Sequence, residues 1–188
     1  MSRRAIAIAC TLIVAAGACY ALLFWLPRWT SRATAAAAPS PVAPAPAGRK
    51  IKARLFYVAE DGMRLTSIER DIAYGDSAVQ QAREIVAAQI APVVEPLVSA
   101  VPPNTTLRAV FITEGGEAYV DLSREVVSAH PGGTLNELLT VYTLVNALTA
   151  NLPAVTAVQV LVEGKELDTL SGHIDLRRPL AKNLAWVQ

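Results

Sequence analysis

Beyond residue 49, the chain begins with an alternation of apolar and polar residues that predicts a β-hairpin. Apolar side chains occupy every second position from residue 51 to residue 57. Alternation of this kind is typical of a half-buried strand. Residues 65–74 alternate in the same way, and Asp61-Gly62 between the two runs is a turn signal. We therefore predict two paired strands, residues 51–59 and residues 65–74.

The spacing of apolar residues then changes to three or four, which predicts an amphipathic helix. Gly75-Asp76-Ser77 offers a helix start, and Pro92 and Pro96 limit the helix at its other end. The apolar positions that define its buried face are Val79, Ala82, Val86, Ile90 and Val93.

A second hairpin is predicted in the next part of the chain. Residues 107–113 and 117–122 are its strand candidates, and they flank the turn sequence Glu114-Gly115-Gly116. Asp121 lies at the end of the second strand. We predict that its carboxylate caps the turn or short helix that follows.

A longer helix and a buried strand follow this hairpin. Thr134 and Glu137 have the spacing of a capping box, in which the hydroxyl accepts from an orphan amide and the carboxylate reaches back to the cap amide. Residues 155–162 are almost all apolar and β-branched, as in a central strand. Gly164 lies in the turn to a short last strand. The core-facing positions predicted for the helix are Leu135, Leu138, Leu139, Tyr142, Val145, Leu148 and Leu152.

These elements predict an α+β fold. Each half is a hairpin followed by a helix, and a further hairpin closes the chain. We expect the helices to pack on a small mixed or antiparallel sheet. The domain, residues 50–188, has the commonest size of a single domain and can bury one hydrophobic core.

Residues 1–29 predict a membrane anchor instead of a folded domain. Residues 5–26 carry no charge, and a helix of about 20 apolar residues spans the hydrocarbon layer. We predict a single transmembrane helix in the bilayer of the bacterial inner membrane, with the domain on the extracytoplasmic side. Two alternatives remain open: a cleaved signal peptide, and lipidation of Cys19 in the sequence AGAC.

Residues 30–49 are rich in alanine and proline, which predicts a semi-rigid linker of about 3 Å per residue. The first 49 residues contain five arginines and no acidic residue, whereas the other 139 hold 12 Lys and Arg against 16 Asp and Glu. The domain is therefore mildly acidic. Because it has no basic stripe with interleaved aromatic residues, we expect no nucleic-acid partner.

The order of motifs in the domain resembles that of the GerMN family. The similarity is carried by EAYVDLS at residues 117–123, PGGTLNELLTVYTLVNALT at residues 131–149 and VTAVQVLVEGKELDTLSGHIDLRRPL at residues 155–180. It covers about residues 50–185. GerMN domains are named from a sporulation and germination lipoprotein, and they also occur in bacteria that form no spores. This chain differs in that it has one copy of the domain and a membrane span in place of a clear lipobox.

The resemblance implies an α+β domain similar to the ring-building motifs of envelope machines. It implies an exported protein that is tethered to a membrane and helps to assemble complexes in the cell envelope. It implies no catalytic activity and no cofactor, so we expect neither. Partners of this kind are other envelope proteins or further copies of the same chain.

His173 is the residue that most suggests chemistry. Ser171, His173 and Asp175 alternate, so in a strand they would share one face, but parallel neighbours about 6–7 Å apart do not converge as a catalytic triad does. A zinc site needs three or four converging ligands, and the sequence offers no such spacing. We therefore predict a structural histidine that bonds from both ring nitrogens across a bend at Gly172, in a segment that ends at Pro179. On this reading His173→Ala lowers the free energy of unfolding by about 1–3 kcal/mol.

Asn146 lies on or beside the apolar stripe of the long helix. A buried amide must be hydrogen-bonded, so we predict a bond from Asn146 to the backbone at a strand end or loop. The residues predicted to keep the fold are Asp121, Glu137, Asn146, Gly164, Gly172, His173 and Pro179.

The sequence therefore favours a membrane-anchored, non-enzymatic module that binds proteins in the cell envelope. The main alternative is an extracytoplasmic domain that binds a small ligand or a cell-wall glycan, which paired exposed aromatic residues would favour. A hydrolase built on Ser171, His173 and Asp175 is the third hypothesis.

Overall fold

The alternating residues of the first hairpin form two long antiparallel strands in the computed structural model, which describes residues 48–188. Strand β1 (Lys50–Val58) pairs with β2 (Leu65–Ala73) along its whole length. At the turn, the backbone N–H of Met63 donates to Oδ1 of Asp61 over 2.8 Å, and Gly62 has a φ of +69°. The turn signal in the sequence therefore lies where the chain reverses.

Helix α1 (Ala78–Ile90) follows, with Ser77 as its N-cap. The Ser77 hydroxyl accepts a hydrogen bond from the backbone N–H of Gln80 over 3.1 Å. The helix ends just before Pro92, whose ring cannot continue it.

The second half forms a mixed sheet. Strands β3 (Leu107–Ile112) and β4 (Glu117–Leu122) are antiparallel. A short helix α2 (Glu125–Ser128) and the long helix α3 (Thr134–Asn151) then cross over to β5 (Ala157–Val162), which runs parallel to β4. This crossover places β4 in the centre of the sheet.

Two very short strands complete this sheet. Strand β6 (Lys165–Glu166) forms a hairpin with the end of β5, and β7 (Leu180–Ala181) pairs with the beginning of β5. The fold is thus α+β, as predicted, but it has two separate sheets instead of one. Strands β1 and β2 form one sheet and β3 to β7 form the other. Strand β7 was not predicted, because two residues are too few to show an alternation of apolar and polar side chains.

Helix α3 is buried on nearly all sides, which the predicted stripe did not anticipate. Val141, Leu144 and Ala147 are fully buried although they lie outside that stripe. The reason is that α3 contacts β1 of the first sheet as well as β5 and β7 of the second, and it also packs against α1. The core of the domain therefore joins both sheets through the two long helices.

The predicted anchor, residues 5–26, and nearly all of the predicted linker, residues 30–49, lie outside the described residues. Within residues 48–188, no helix is both long enough and apolar enough to cross a bilayer.

Candidate functional site

The histidine segment is a loop and not a strand. Between β6 and β7 the chain leaves the sheet and returns to it, and we call residues 167–179 the edge loop because they lie along the edge of β5. Gly172 has a φ of +96°, which provides the predicted bend. Midway along β5, the buried side-chain amide of Gln159 donates to the carbonyl of Leu176. That bond takes the place of the strand pairing that the loop interrupts.

One buried carboxylate holds this loop. Glu137 lies in the first turn of α3 and is fully buried. Its Oε1 accepts from the backbone N–H of Leu170 over 2.8 Å and from that of Ser171 over 3.0 Å. Its Oε2 accepts from the backbone N–H of His173 over 2.9 Å and lies 3.1 Å from Nδ1 of the same residue. The carboxylate thus gathers three loop amides and one ring nitrogen.

These amides decide the charge of Glu137. Burial by itself raises the pKa of the carboxyl, but the backbone N–H groups of Ser171, Leu170 and His173 favour the ionised form, and the pKa lies below its ordinary value of 4.5. Glu137 is therefore an anion near neutral pH, and its charge is compensated by backbone dipoles.

The capping box predicted for α3 is wrong. The N-cap is Gly133, with a φ of +85°, and Thr134 is already the first helical residue. Glu137 points to the edge loop instead of to the helix start. A local pattern was overridden here by a contact between residues 33 to 36 positions apart.

The prediction that His173 bonds across the bend from both ring nitrogens is wrong. Its side chain is 39% exposed, and Nδ1 contacts Glu137. No partner for Nε2 is found in residues 48–188. The backbone N–H of His173 makes the shorter of its two bonds to Glu137, 2.9 Å against 3.1 Å for the ring nitrogen. The partner of His173 that was not predicted is thus Glu137. Its position three residues after Thr134 had suggested a capping box instead.

The second histidine stands beside this centre and is tied to the same helix. The backbone N–H of Gly132 donates to Nδ1 of His130 over 2.9 Å, so the ring proton is on Nε2, which lies 3.2 Å from the Thr140 hydroxyl. Partial burial lowers the pKa of His130 below its ordinary value of 6.5, although the charge of Glu137 acts in the opposite direction. His130 is therefore neutral at pH 7.

Asp175, the third residue of the hypothetical triad with Ser171 and His173, is bound to another side chain. Asp175 accepts from the Arg177 side chain over 2.9 and 2.8 Å and from its backbone N–H over 3.0 Å. The hydrogen bond from the Arg177 side chain, which is the largest effect, holds the pKa of Asp175 well below its usual range. The structure therefore places Asp175 with Arg177 and not with His173.

Asp121 and Gly164, predicted separately, lie together. Oδ1 of Asp121 accepts from the backbone N–H of Gly164 over 2.8 Å, and Oδ2 accepts from Nε of Arg108 over 3.1 Å. Asp121 therefore does not cap the following helix, whose N-cap is Arg124 without a side-chain bond. It fastens the β5–β6 turn, where Glu163 and Gly164 both have positive φ.

Asn146 is fully buried and bonds to the backbone of one residue just after β7. Its Nδ2 donates to the carbonyl of Asn183 over 2.8 Å, and its Oδ1 accepts from the N–H of the same residue over 3.0 Å. Pro179 directly precedes β7, so it ends the edge loop but not the folded chain.

The chemistry open to these groups is limited. Glu137 and His173 form a carboxylate–imidazole pair, but within the described part of the chain the Ser171 hydroxyl makes no hydrogen bond to that ring. Residues 48–188 contain no group of three His, Cys, Asp or Glu side chains placed to hold a metal ion. A cavity of about 420 Å³ beside the end of α1 is lined by apolar residues, Ser99 and Asn104, none of which titrates near neutral pH.

The comparisons with known proteins agree with this fold. The family model described as "Germane: Sporulation and spore germination" matches residues 54–168. The tandem GerMN domains of the sporulation protein GerM from Bacillus subtilis superpose with a TM-score of 0.55 at 19% identity, over 71% of this chain and 46% of that one. The crystal structure of a putative lipoprotein from Clostridium perfringens gives a TM-score of 0.50 at 21% identity, over 76% of this chain and 93% of that one.

These structural likenesses concern the fold alone, since their sequence identity is low. The chain spans slightly less than half of the tandem structure that it matches. None of the curated proteins matches the chain.

Proposed function

Because the chain belongs to the Germane family of sporulation and spore germination domains, we propose that it is a non-enzymatic protein of the cell envelope whose domain binds other proteins during the assembly of a complex. Residues 5–26 anchor it in the inner membrane, and residues 30–49 hold the domain away from the bilayer on the extracytoplasmic side.

The observation that carries this proposal is that the buried polar side chains bind backbone groups of the domain itself. Glu137 binds the backbone of the edge loop, Asp121 the backbone of a turn, and Asn146 the backbone after β7. Each group thus serves the fold, and none of the three lines the cavity beside the end of α1. What the domain presents to other molecules is its outer surface.

Crosslinking of the tagged full-length protein in cells, followed by identification of what co-purifies, tests the proposal. The control carries residues 1–49 fused to an unrelated domain. We expect a reproducible set of envelope proteins, or the protein itself in a defined multiple, that the control lacks. If the protein recovers only the background of the control, the assembly function is wrong.

A second candidate function is supported by one pair of aromatic residues. Phe111 is 60% exposed and lies directly opposite the half-buried Tyr119 on the outer face of the larger sheet. The Tyr119 hydroxyl lies 3.4 Å from the carboxylate of Glu117. An aromatic platform beside a carboxylate suits a glycan, so binding of cell-wall fragments that is lost in Phe111→Ala would favour this function over the first.

The hydrolase hypothesis is the least supported, because Asp175 is paired with Arg177 and not with His173. It is tested by Ser171→Ala, which removes one half-buried hydroxyl. Loss of cellular function with an unchanged unfolding curve would revive it.

A further inference from the structure

The outer edge of β3 carries unpaired backbone groups. Phe111 pairs with Tyr119 of β4, and Thr113 N–H donates to Glu117 O over 2.9 Å, so the alternation of an antiparallel ladder directs the N–H and C=O of Val110 and Ile112 away from β4. These groups have no hydrogen-bond partner within residues 48–188. An edge of this kind is a template for one more strand.

The sequence of this edge is complementary to itself. If a second copy of β3 lies antiparallel to the first, with the two-fold axis at Phe111, Val110 of each copy lies opposite Ile112 of the other. The outward N–H and C=O groups of these two residues then bond to each other. The two Phe111 rings become a cross-strand aromatic pair, and such pairs stabilise sheets. This arrangement also covers a phenylalanine side chain that is 60% exposed.

The charges agree with the same register. Arg108 lies three residues before Phe111 and Glu114 lies three residues after it. The two-fold axis therefore brings Arg108 of each copy, which lies at the register shift of β3, to the same end of the joined strands as Glu114 of the other, which lies in the turn after β3. Both are exposed, and Arg108 uses only Nε for its bond to Asp121, so other N–H groups of its guanidinium remain for a second carboxylate.

The edge of the smaller sheet provides a contrast. In β2 the same alternation directs the backbone groups of Ser67, Glu69 and Asp71 outward. A two-fold pairing of this edge places Glu69 opposite either Glu69 or Asp71 of the other copy in the registers centred on residues 69 and 70. Like charges opposite each other destabilise a sheet, so these two registers of β2 are disfavoured, whereas the register of β3 about Phe111 contains no pair of like charges.

We propose that two copies of the chain associate through antiparallel pairing of β3 (Leu107–Ile112) about Phe111, so that the larger sheets of both join. This inference deepens the proposed function, on which it rests, by naming a second copy of the chain as one partner. The linker of about 20 residues gives two domains anchored in one membrane enough reach to meet.

Disulfide crosslinking of the full chain in membranes tests this register. Cys10 and Cys19 are first replaced by serine, and one cysteine is then introduced. In the proposed dimer the two residues at position 111 have α-carbons about 4.5–5.5 Å apart, a distance at which a disulfide forms. Thr113→Cys is the matched control on the same strand, because its two copies are about 13 Å apart in this register at about 3.3 Å per residue. Glu69→Cys is the control for the other edge.

We expect Phe111→Cys to give a covalent dimer on mild oxidation, and Thr113→Cys and Glu69→Cys to remain monomers. Glu114→Arg added to Phe111→Cys should lower the dimer yield several-fold, since it brings a second positive charge to the end of the joined strands where Arg108 of the other copy lies. Equal yields from positions 111 and 113, or no dimer from position 111, overturn the inference. In that event, crosslinks from the wild-type chain to other envelope proteins would leave the proposed function intact, whereas background alone would remove both.

Discussion

Glu137 shows how a single carboxylate can organise a loop that lies more than thirty residues away. Its two oxygens accept three backbone N–H bonds, and each bond fixes one residue of the edge loop. A carboxylate that is fully buried but surrounded by donors is stable as an anion, whereas without it the same donors, one buried and two partly buried, would lose their acceptor. At the scale of single residues, the centre is therefore a structural anchor, and His173 contributes to it mainly through its backbone.

The first prediction compares these two residues. Glu137→Gln turns one acceptor oxygen into an N–H₂ donor that faces other donors. We expect it to lower the free energy of unfolding of residues 48–188 by about 2–4 kcal/mol at pH 7. His173→Ala keeps the backbone bond and removes a 39% exposed ring, so we expect about 1 kcal/mol or less. Denaturant unfolding measures both, and equal losses would contradict the assignment of the anchor to Glu137.

The second prediction concerns acid stability. Because the pKa of Glu137 is lower in the folded protein than its ordinary value of 4.5, the folded state is stabilised fully above that value. This stabilisation is lost as the pH falls through the lower pKa of the folded state. Unfolding curves between pH 7 and pH 3 should therefore show a smaller acid-dependent loss for Glu137→Gln than for the wild type. Parallel losses in both proteins would mean that other groups carry the effect.

The third prediction concerns His130. Since partial burial lowers its pKa below 6.5, the unfolded state takes up a proton first, and stability decreases as the pH falls below 6.5. Protonation of Nδ1 also removes the acceptor for the Gly132 N–H. An NMR titration of the imidazole signals should give His130 a pKa below 6.5. A value above 6.5 would show that the charge of Glu137 outweighs burial.

At the scale of elements, side-chain amides from both long helices protect the edge of β1. Gln89 of α1 donates to the carbonyl of Phe56 and accepts from its N–H, over 2.7 and 2.9 Å. Asn151 of α3 makes the same pair of bonds to Arg54, each of 2.8 Å. Each amide thus replaces one residue of a neighbouring strand. The two-stranded sheet is joined to the helices by these bonds as well as by apolar packing.

The fourth prediction tests this role of the amides. Gln89→Leu keeps the size of the side chain but leaves the buried N–H and C=O of Phe56 without partners. We expect a loss of about 2–4 kcal/mol in the free energy of unfolding. Gln80→Leu, on the same helix, removes only an exposed 3.3 Å bond to Asp76 and should change it by less than about 1 kcal/mol. Similar effects of the two substitutions would show that the bonds from Gln89 to Phe56 contribute little to stability.

At the scale of the whole molecule, the distribution of charge separates two parts of the chain. The basic first 49 residues contain the apolar stretch of residues 5–26, and the mildly acidic remainder forms the folded domain. In the proposed function, residues 30–49 let this domain act on partners at some distance from the membrane surface.

The fifth prediction tests the anchor. After expression in bacteria and alkaline extraction of membranes, we expect the full chain to stay in the membrane pellet and residues 48–188 to be released. Cys19→Ser should also remain in the pellet, because the proposed anchor is the apolar stretch of residues 5–26 and not a lipid on Cys19. Release of Cys19→Ser would indicate lipidation instead, and a mass that lacks the first residues would indicate a cleaved signal peptide.

The sequence predicted the elements better than their connections. Strand β4 has the bounds that were predicted, because apolar alternation and turn glycines are local signals. The division into two sheets and the pairing of Glu137 with the edge loop depend on contacts between distant residues, for which one sequence gives no period. For Asp121, the prediction of a cap failed because the turn at Gly164, 43 residues later, uses the carboxylate instead.

The position of the edge loop along the chain has a consequence for folding during synthesis. Glu137, Asn146 and Leu65 all take backbone partners from the stretch beyond residue 169. A chain that emerges from the ribosome therefore presents Glu137 without its loop donors until residues 170–173 have followed. The packing of α3 is thus completed only after most of the domain has been synthesised.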